Sequence, residues 1–370
     1  MLDIFAGENA LKSIQENGFK QENFINFLGA SGGPKWFILF GLDKYLFGNF
    51  FKARSSELNL IGSSAGAFRA AALTQKDPVR AIERLAYTYA NTVYSSKPSP
   101  QEISTQAVHI VEQLFAENGA DEIINNEIFK AHFLVAKCNG LTDSDNKIMQ
   151  GAGLITSMLL NKIDRRLLSK QYQRYIFQHP SSTLTINDPY NFSNVYQTLN
   201  PDNIKSALLA SGSIPMVMSG IKNIAGSKNG TYRDGGIIDY HFDFSLSNNK
   251  SDKQITSGQK LEVDCSKEKY GLTLYPHFSS EPKAGWFDKS SNRRVLASSY
   301  ENTVLLAPSQ SFIQSLPFGK IPDRTDFTKL DAPTRIKYWL KVLEETEKLA
   351  ECFNDFVIKQ DLTKIKAFKP

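Results

Sequence analysis

The first third of the chain alternates between short apolar runs and segments that predict helices. Residues 24–28 (FINFL) form an uninterrupted apolar run of strand length, and residues 29–33 (GASGG) follow it at once. Pro34 then begins an apolar segment that predicts a helix ending at Gly48, because proline is favoured at the first helical position and glycine just after the last. This stretch therefore predicts a buried strand, a glycine-rich turn and a helix.

The next segment repeats this order. Residues 58–61 (LNLI) predict a strand, residues 62–66 (GSSAG) a tight turn, and residues 67–73 a further helix. Strand, helix, strand and helix at this spacing predict a parallel sheet with right-handed crossovers. The loops at the carboxyl ends of the strands form the ligand crevice in such a sheet, so both glycine–serine turns are expected to lie there.

The remaining chain is predicted to extend this core. Helices are expected over 10–17, 157–177, 202–210 and 334–357. Strands are expected at 133–136, 231–233, 272–275 and 303–306. The polar composition of 245–258 predicts a long surface loop. The basic amphipathic pattern of 157–177 is typical of a solvated helix face over a core, with docking on a membrane as the alternative.

These elements predict a single α/β domain over 1–370 with a mainly parallel central sheet. Its motif-bearing part spans about 24–240. A helical insertion over about 78–200 is expected to shape or cap a pocket. C-terminal strands and a closing helix are expected over about 269–358.

Composition places the chain among folded proteins. Hydrophobic residues make up 41% of it and charged residues 22%, which leaves ample apolar material for a core. The 43 basic and 38 acidic side chains give a net charge of +5 without the clustered basic stripe that nucleic acid requires. No nucleic-acid partner is therefore expected, and an anionic membrane surface is favoured only weakly.

The cysteines and the N-terminus bear on location. Cys138, Cys265 and Cys352 are odd in number and far apart, so they form no zinc pattern or disulfide framework, and a reducing compartment fits best. The first residues lack an apolar signal region, and the uncharged stretch 206–221 contains a proline and is too short to cross a bilayer. The expectation is a cytoplasmic protein without a signal peptide or transmembrane segment, with peripheral membrane contact left open.

Two G-x-S-x-G patterns carry the first candidate chemistry. Ser31 lies in the first turn and Ser64 in the second. The flanking glycines permit a sharp turn that raises the serine hydroxyl at a helix N-terminus, where free N–H groups stabilise a developing oxyanion. Small residues after Ser64 let its helix pack closely behind the turn. Ser64 is therefore the expected nucleophile, and Ser31 is expected to be structural.

The adjacent glycines of the first turn predict a different role. Gly32 and Gly33 stand beside the start of a helix and are suited to presenting backbone N–H groups to an anion. Together with the N–H of Ala65, they form the expected oxyanion hole.

A serine nucleophile requires a base, and the residues alone leave two options. Asp234 stands where a strand meets Gly235-Gly236, a glycine pair that permits close backbone approach. An imidazole is the other option, from one of the five histidines: His109, His132, His179, His241 or His277. Of these, His241 and His277 follow Asp234 in the order Ser, Asp, His. Neither arrangement needs a metal or a cofactor.

The order of these motifs resembles the patatin-like phospholipase family. A glycine turn with a basic residue (32–35, GGPK) is followed by G-x-S-x-G at Ser64, by 210–215 (ASGSIP) and by D-G-G at Asp234. Four motifs in the same order are far more specific than any one of them.

The resemblance implies a three-layer α/β domain, a Ser64–Asp234 dyad without a catalytic histidine, and cleavage of acyl esters of lipids. The expected substrate is a phospholipid or lysophospholipid. Two alternatives remain open: an esterase with a Ser64–Asp–His triad on an α/β-hydrolase scaffold, and a catalytically inactive lipid-binding protein. The sequence gives no indication of the oligomeric state.

Overall fold

A computed structural model describes residues 1–248 and 271–370 as a mainly parallel sheet flanked by helices. The strands are β1 Leu2–Ala6, β2 Phe24–Gly29, β3 Leu58–Ser63, β4 Phe129–Cys138, β5 Tyr172–Gln178, β6 Leu184–Asn187, β7 Asn194–Thr198, β8 Ile221–Lys222, β9 Thr231–Asp234, β10 Ser245–Asn248, β11 Leu272–Pro276, β12 Thr303–Pro308 and β13 Ile365–Ala367. The α-helices are α1 Glu8–Asn17, α2 Phe40–Tyr45, α3 Ala65–Leu73, α4 Pro78–Asn91, α5 Pro100–Phe115, α6 Gly119–Ile124, α7 Lys147–Ile163, α8 Ile204–Gly212, α9 Gln310–Ser315, α10 Asp326–Lys329, α11 Ala332–Glu345 and α12 Glu347–Lys359.

The central sheet brings the two glycine–serine turns to one edge. Its strand order is β13-β1-β12-β11-β2-β3-β4-β5-β7, with β9 pairing with β4 and β8 with β9. Strands β11, β2, β3 and β4 are parallel neighbours, and Gly29 at the end of β2 pairs with Gly62 near the end of β3. The carboxyl ends of β2 and β3 therefore lie side by side, which confirms the predicted three-layer α/β fold and the position of both turns.

A buried ion pair links the helix that follows β3 to the rest of the core. Arg69 of α3 donates two hydrogen bonds to Asp43 of α2, at 2.8 Å from Nε and 2.7 Å from a terminal nitrogen. Both side chains are fully buried. Because a bidentate pair fixes both distance and orientation, it sets how α3 packs beside α2.

The first apolar helix continues beyond its predicted end at Gly48. It begins as a 3-10 helix over Gly33–Leu39, becomes α2 and ends as a π-helical segment over Leu46–Phe50. Phe47 and Phe50 pack against other aromatic rings of the core, with Phe50 at 5.7 Å from Phe353. Burial of these rings outweighs the tendency of glycine to end a helix.

The expected basic helix over 157–177 is wrong in its boundaries. Helix α7 ends at Ile163, a 3-10 helix follows over Arg165–Lys170, and β5 begins at Tyr172. Asp164 begins the new turn, since its side chain accepts a hydrogen bond from the Arg166 N–H. The last third of the segment extends instead, because it pairs with β4 along its length.

The region 78–200, expected as a helical insertion, also supplies strands to the central sheet. Its first part contains α4, α5 and α6, but β4, β5 and β7 then pair within the sheet. Residues 78–200 therefore contribute both helices and strands to the fold. The single-domain organisation over 1–370 stays a prediction.

The long C-terminal helix is interrupted in the structure. The helix predicted over 334–357 is two helices, α11 and α12, separated at Thr346. Thr346 Oγ1 accepts the Gly41 N–H at 2.9 Å and donates to Leu343 O at 2.6 Å, so the break lets α12 pack against α2.

In the predicted loop 245–258, the first four residues form β10, which pairs with β6. Residues 249–258 and Cys265 lie outside the described residues. Within the described ranges, no helix has the length and apolarity needed to span a bilayer.

Candidate active site

Ser64 lies at the sharp turn between β3 and α3. Its backbone adopts φ 53° and ψ −124°, a conformation that residues with a side chain rarely adopt and that is often found at active sites. The turn requires its flanking glycines. A Cβ at Gly62 would lie 2.2 Å from the Gly66 carbonyl oxygen, and one at Gly66 would lie 1.7 Å from the Gly29 carbonyl oxygen. The helix can therefore start directly behind Ser64, as the small residues predicted.

Asp234 reaches Ser64 from a strand that lies beyond the end of β3 on the same edge of β4, since β5 occupies the opposite edge. It is the last residue of β9, which pairs antiparallel with β4 and places Asp234 opposite Val135. Asp234 Oδ2 accepts a hydrogen bond from Ser64 Oγ at 2.8 Å, and Oδ1 accepts the Gly236 N–H at 2.8 Å. Ser64 is 2% and Asp234 7% exposed. Two residues 170 positions apart thus form a buried pair with the reach of a nucleophile and its base.

Residues 210–215 hold both members of this pair through two serines. Ser211 Oγ accepts the Ser64 N–H at 3.0 Å and donates to Leu134 O at 2.7 Å. The Asp234 N–H donates to Ser213 O at 3.0 Å. The sequence shows this segment only as a motif and gives no sign of its positioning role, because the partners lie far from it along the chain.

The candidate oxyanion donors differ in whether they share a cavity with Ser64. Gly33 and Ala65 line the same cavity as Ser64. Ala65 is the first residue of α3, so its N–H has no acceptor within the helix. Gly32 and Gly33 have φ 155° and 57°, and a Cβ on them would lie 2.7 Å from Phe278 and 2.6 Å from Arg324 respectively. The turn therefore needs both glycines, and Gly33 and Ala65 share the cavity with the serine.

Ser31 has hydrogen bonds that fit a structural role. Its Oγ donates to Ser63 O at 3.2 Å and contacts Ser63 Oγ at 3.1 Å. Its N–H donates to Tyr240 O at 2.9 Å. The Ser31 hydroxyl thus ties the first turn to the end of β3, one residue before Ser64.

Two basic side chains that belong to none of the sequence motifs lie near Ser64 and Asp234. Lys289 and Arg324 line a small recess together with Ser64 and Asp234. Burial raises the pKa of Asp234, and the charge of Arg324 is the largest influence opposing that rise. Burial, followed by the charge of Arg324, lowers the pKa of Lys289 to about 8. The site therefore contains a desolvated carboxylate whose ionised form is supported by nearby positive charge.

The histidines that follow Asp234 have other surroundings. His241 Nδ1 accepts the Lys283 N–H and His277 Nδ1 accepts the Ser279 N–H, both at 2.9 Å. Their rings lie 4.2 Å apart. Burial lowers the pKa of His277 to about 3 and that of His241 well below its ordinary value. Within residues 1–248 and 271–370, neither imidazole is hydrogen-bonded to Ser64 or Asp234.

An apolar cavity of about 360 Å³ begins at Ser64. Its walls include Trp36, Phe68, Leu85, Tyr89, Ile103, Ile110, Leu209, Ile214, Val217 and Phe327. Several of these residues belong to α4, α5 and α8, so helices that follow β3 shape the cavity. Its lining suits an acyl chain.

A serine at a strained strand-to-helix turn of an α/β sheet is typical of hydrolases with a nucleophilic serine. The family model for patatin-like phospholipases matches residues 59–241. Over this stretch, which is just under half of the chain, the sequence is similar to the patatin-like phospholipase family. The match includes Ser64, Ala65 and Asp234, whereas Gly32 and Gly33 precede it.

A solved structure and the curated proteins give less detail. The structure of human GIVD cytosolic phospholipase A2 aligns with a TM-score of 0.38 and 10% identity, covering 96% of this chain. This chain spans 63% of the length of that structure. No curated protein matches.

Proposed function

We propose that the protein is a serine hydrolase that cleaves acyl esters of phospholipids or lysophospholipids, with Ser64 as nucleophile and Asp234 as its base. The observation that carries this proposal is the 2.8 Å hydrogen bond from Ser64 Oγ to Asp234 Oδ2 beside an apolar cavity. The match of residues 59–241 to the patatin-like phospholipase family supports a lipid ester as the substrate class.

The first half-reaction transfers the acyl group to the serine. Asp234 takes the Ser64 hydroxyl proton while Oγ attacks the ester carbonyl carbon. The carbonyl oxygen becomes an oxyanion that the N–H groups of Gly32, Gly33 and Ala65 stabilise. The tetrahedral intermediate collapses, the ester C–O bond breaks, and Asp234 gives its proton to the leaving alcohol. An acyl-enzyme on Ser64 remains.

Water completes the cycle. Asp234 takes a proton from a water molecule whose oxygen attacks the acyl carbon, and the same donors hold the second oxyanion. When the intermediate collapses, Ser64 Oγ leaves and recovers the proton from Asp234. A fatty acid is released, and both residues return to their starting protonation states.

Electrostatics support this role for an aspartate. Asp is a weak base in water, and burial raises its pKa, which makes Asp234 a better proton acceptor. Arg324 and Lys289 oppose part of that rise, so the carboxylate remains available in its ionised form. A histidine is not required to bridge a serine and a carboxylate that are already in direct contact.

Replacement of the histidines separates the dyad from a Ser64–Asp–His triad. We expect His241→Gln and His277→Gln each to retain hydrolysis of a short-chain nitrophenyl ester within about threefold of the wild-type kcat, because neither ring is hydrogen-bonded to the pair. Thermal unfolding of each variant provides the control for folding. A loss of about 10³-fold in kcat in a variant that remains folded would instead indicate a catalytic histidine.

A further inference from the structure

The outward face of α7 carries apolar side chains, whereas its inward face is polar. The exposed apolar residues, called the α7 apolar face below, are Ile148, Met149, Ala152, Ile155, Met158, Leu159 and Ile163. The buried residues of the same helix are Gln150, Gly153, Ser157 and Asn161. This order is the reverse of an ordinary surface helix, in which the apolar stripe faces the core.

The periodicity shows that the exposed residues share one side of the helix. Ile148, Ile155, Leu159 and Ile163 follow one another at steps of seven, four and four, which keeps them within one stripe. Ile155 is 59% and Leu159 53% exposed, while Ile148 and Ile163 are exposed to a greater extent. A helix of 17 residues is about 25 Å long, so the stripe is a continuous apolar patch and not a single exposed side chain.

The inward face is committed to the fold. Ser157 Oγ contacts Tyr172 Oη at 2.8 Å, and Asn161 Nδ2 donates to Asp288 Oδ1 at 2.8 Å. Because these buried hydrogen bonds fix the rotation of α7, the helix cannot turn its apolar side chains inward without leaving polar groups unpaired. The α7 apolar face is therefore either exposed to water or covered by a partner outside the described residues.

The charges of α7 favour an anionic partner. Lys147 and Lys162 are its charged residues, both are exposed, and the helix sequence KIMQGAGLITSMLLNKI contains no acid. Two copies packed face to face across this helix would bring like charges together without acids of the helix to pair with them. Exposed lysines at the two ends of an apolar helix face are instead compatible with a helix that lies in the interface of an anionic bilayer.

The α7 apolar face is connected to the mouth of the acyl cavity. Gln150 Oε1 accepts the Met216 N–H at 2.6 Å, which joins α7 to the loop after α8. Met216 and Val217 are themselves exposed apolar residues, and Val217 and Met218 line the cavity that begins at Ser64. A bilayer that covers α7 would therefore lie next to the route by which an acyl chain enters.

We propose that the α7 apolar face docks on the surface of an anionic phospholipid bilayer and holds the cavity mouth against the lipid. The docking step rests on the proposed function only in that it would deliver a lipid ester to Ser64. The side chains of the α7 apolar face insert among the lipid acyl chains near the headgroups, and Lys147 and Lys162 pair with anionic headgroups.

Vesicle sedimentation with matched glutamate variants tests this proposal. We expect the full chain to bind phosphatidylcholine/phosphatidylserine vesicles more strongly than pure phosphatidylcholine vesicles, and less strongly as salt rises. Ile155→Glu should weaken binding to the mixed vesicles by at least about tenfold, and Ile155→Glu/Leu159→Glu further, because a charge would enter the apolar region. Ile358→Glu, at a 70% exposed isoleucine of α12, is the matched control and should bind as the wild type does.

Hydrolysis of a short-chain ester in solution separates docking from catalysis. Ile155→Glu should retain the wild-type rate on that ester and lose rate on vesicle lipids. The proposal is overturned by a wild type that does not bind the mixed vesicles, by equal binding of Ile155→Glu and Ile358→Glu, or by a wild-type dimer that Ile155→Glu converts to a monomer. A wild type that binds vesicles but hydrolyses no ester would contradict the proposed function while leaving the docking surface supported.

Discussion

Asp234→Asn is expected to lower kcat for ester hydrolysis by about 10²- to 10⁴-fold, the range that a positioned general base contributes. Asparagine has nearly the same shape and can accept the hydrogen bond that Asp234 Oδ2 accepts from Ser64 Oγ at 2.8 Å. It cannot take the proton from the hydroxyl, so the nucleophile is not activated. Steady-state hydrolysis of a soluble ester measures the loss, and the free energy of unfolding shows whether the variant remains folded.

The pH dependence of the same two proteins checks that the carboxylate is the titrating group. Burial raises the pKa of Asp234, and the base form is lost as the pH falls through that raised value. The acid limb of the wild-type kcat/KM should therefore lie at a higher pH than the ordinary pKa of an aspartate. Asp234→Asn should lack this limb. Wild-type kcat in the folded Asn variant would contradict the role of Asp234 as the base.

Arg69→Met is expected to lower the free energy of unfolding by about 3–5 kcal/mol, the cost of removing one partner of a buried ion pair. Asp43 would remain fully buried without the two hydrogen bonds that Arg69 now donates. Burial already raises the pKa of Asp43 despite the charge of Arg69, so its carboxylate depends on this partner. Since Arg69 belongs to α3, which begins after Ser64, the variant should also lose catalytic activity.

Two further variants distinguish the buried pair from a general effect of losing a charge. Asp43→Leu/Arg69→Met should recover most of the lost stability, because no uncompensated charge stays buried. Lys366→Met removes an exposed partner of Asp3 and should change stability by no more than about 1 kcal/mol. Urea unfolding of the four proteins measures these differences. An Arg69→Met variant as stable as Lys366→Met would contradict the structural role of the pair.

Local patterns in the sequence predicted the elements that contain the turns. The apolar runs at 24–28 and 58–61 became β2 and β3 with an extension of one or two residues, because strand length and the glycines after it are local properties. The segment 157–177 failed because its last third pairs with β4, a partner about 40 residues away. The break at Thr346 likewise depends on a contact with Gly41, which no local pattern records.

In the candidate site, too, the residues in local motifs were predictable from the sequence, and those placed by long-range contacts were not. Ser64 and Asp234 stand in glycine-bounded motifs because sharp backbone turns constrain the sequence around them. Arg324 and Lys289 lie beside Asp234 through long-range folding, and their surroundings in the sequence contain no such constraint. Ser211 was visible as part of a motif, but its hydrogen bond to the Ser64 N–H required the three-dimensional arrangement of α8 and β3.

Mass spectrometry of the protein treated with a fluorophosphonate probe identifies the reacting hydroxyl directly, and the assignment of Ser64 as the nucleophile depends on it. We expect the wild type to carry a single covalent adduct on the peptide containing Ser64. Ser31→Ala should label as the wild type does, and Ser64→Ala should not label. An adduct on Ser31 would contradict the assignment of the nucleophile, and a folded wild type that takes no adduct would favour a lipid-binding protein without hydrolase activity.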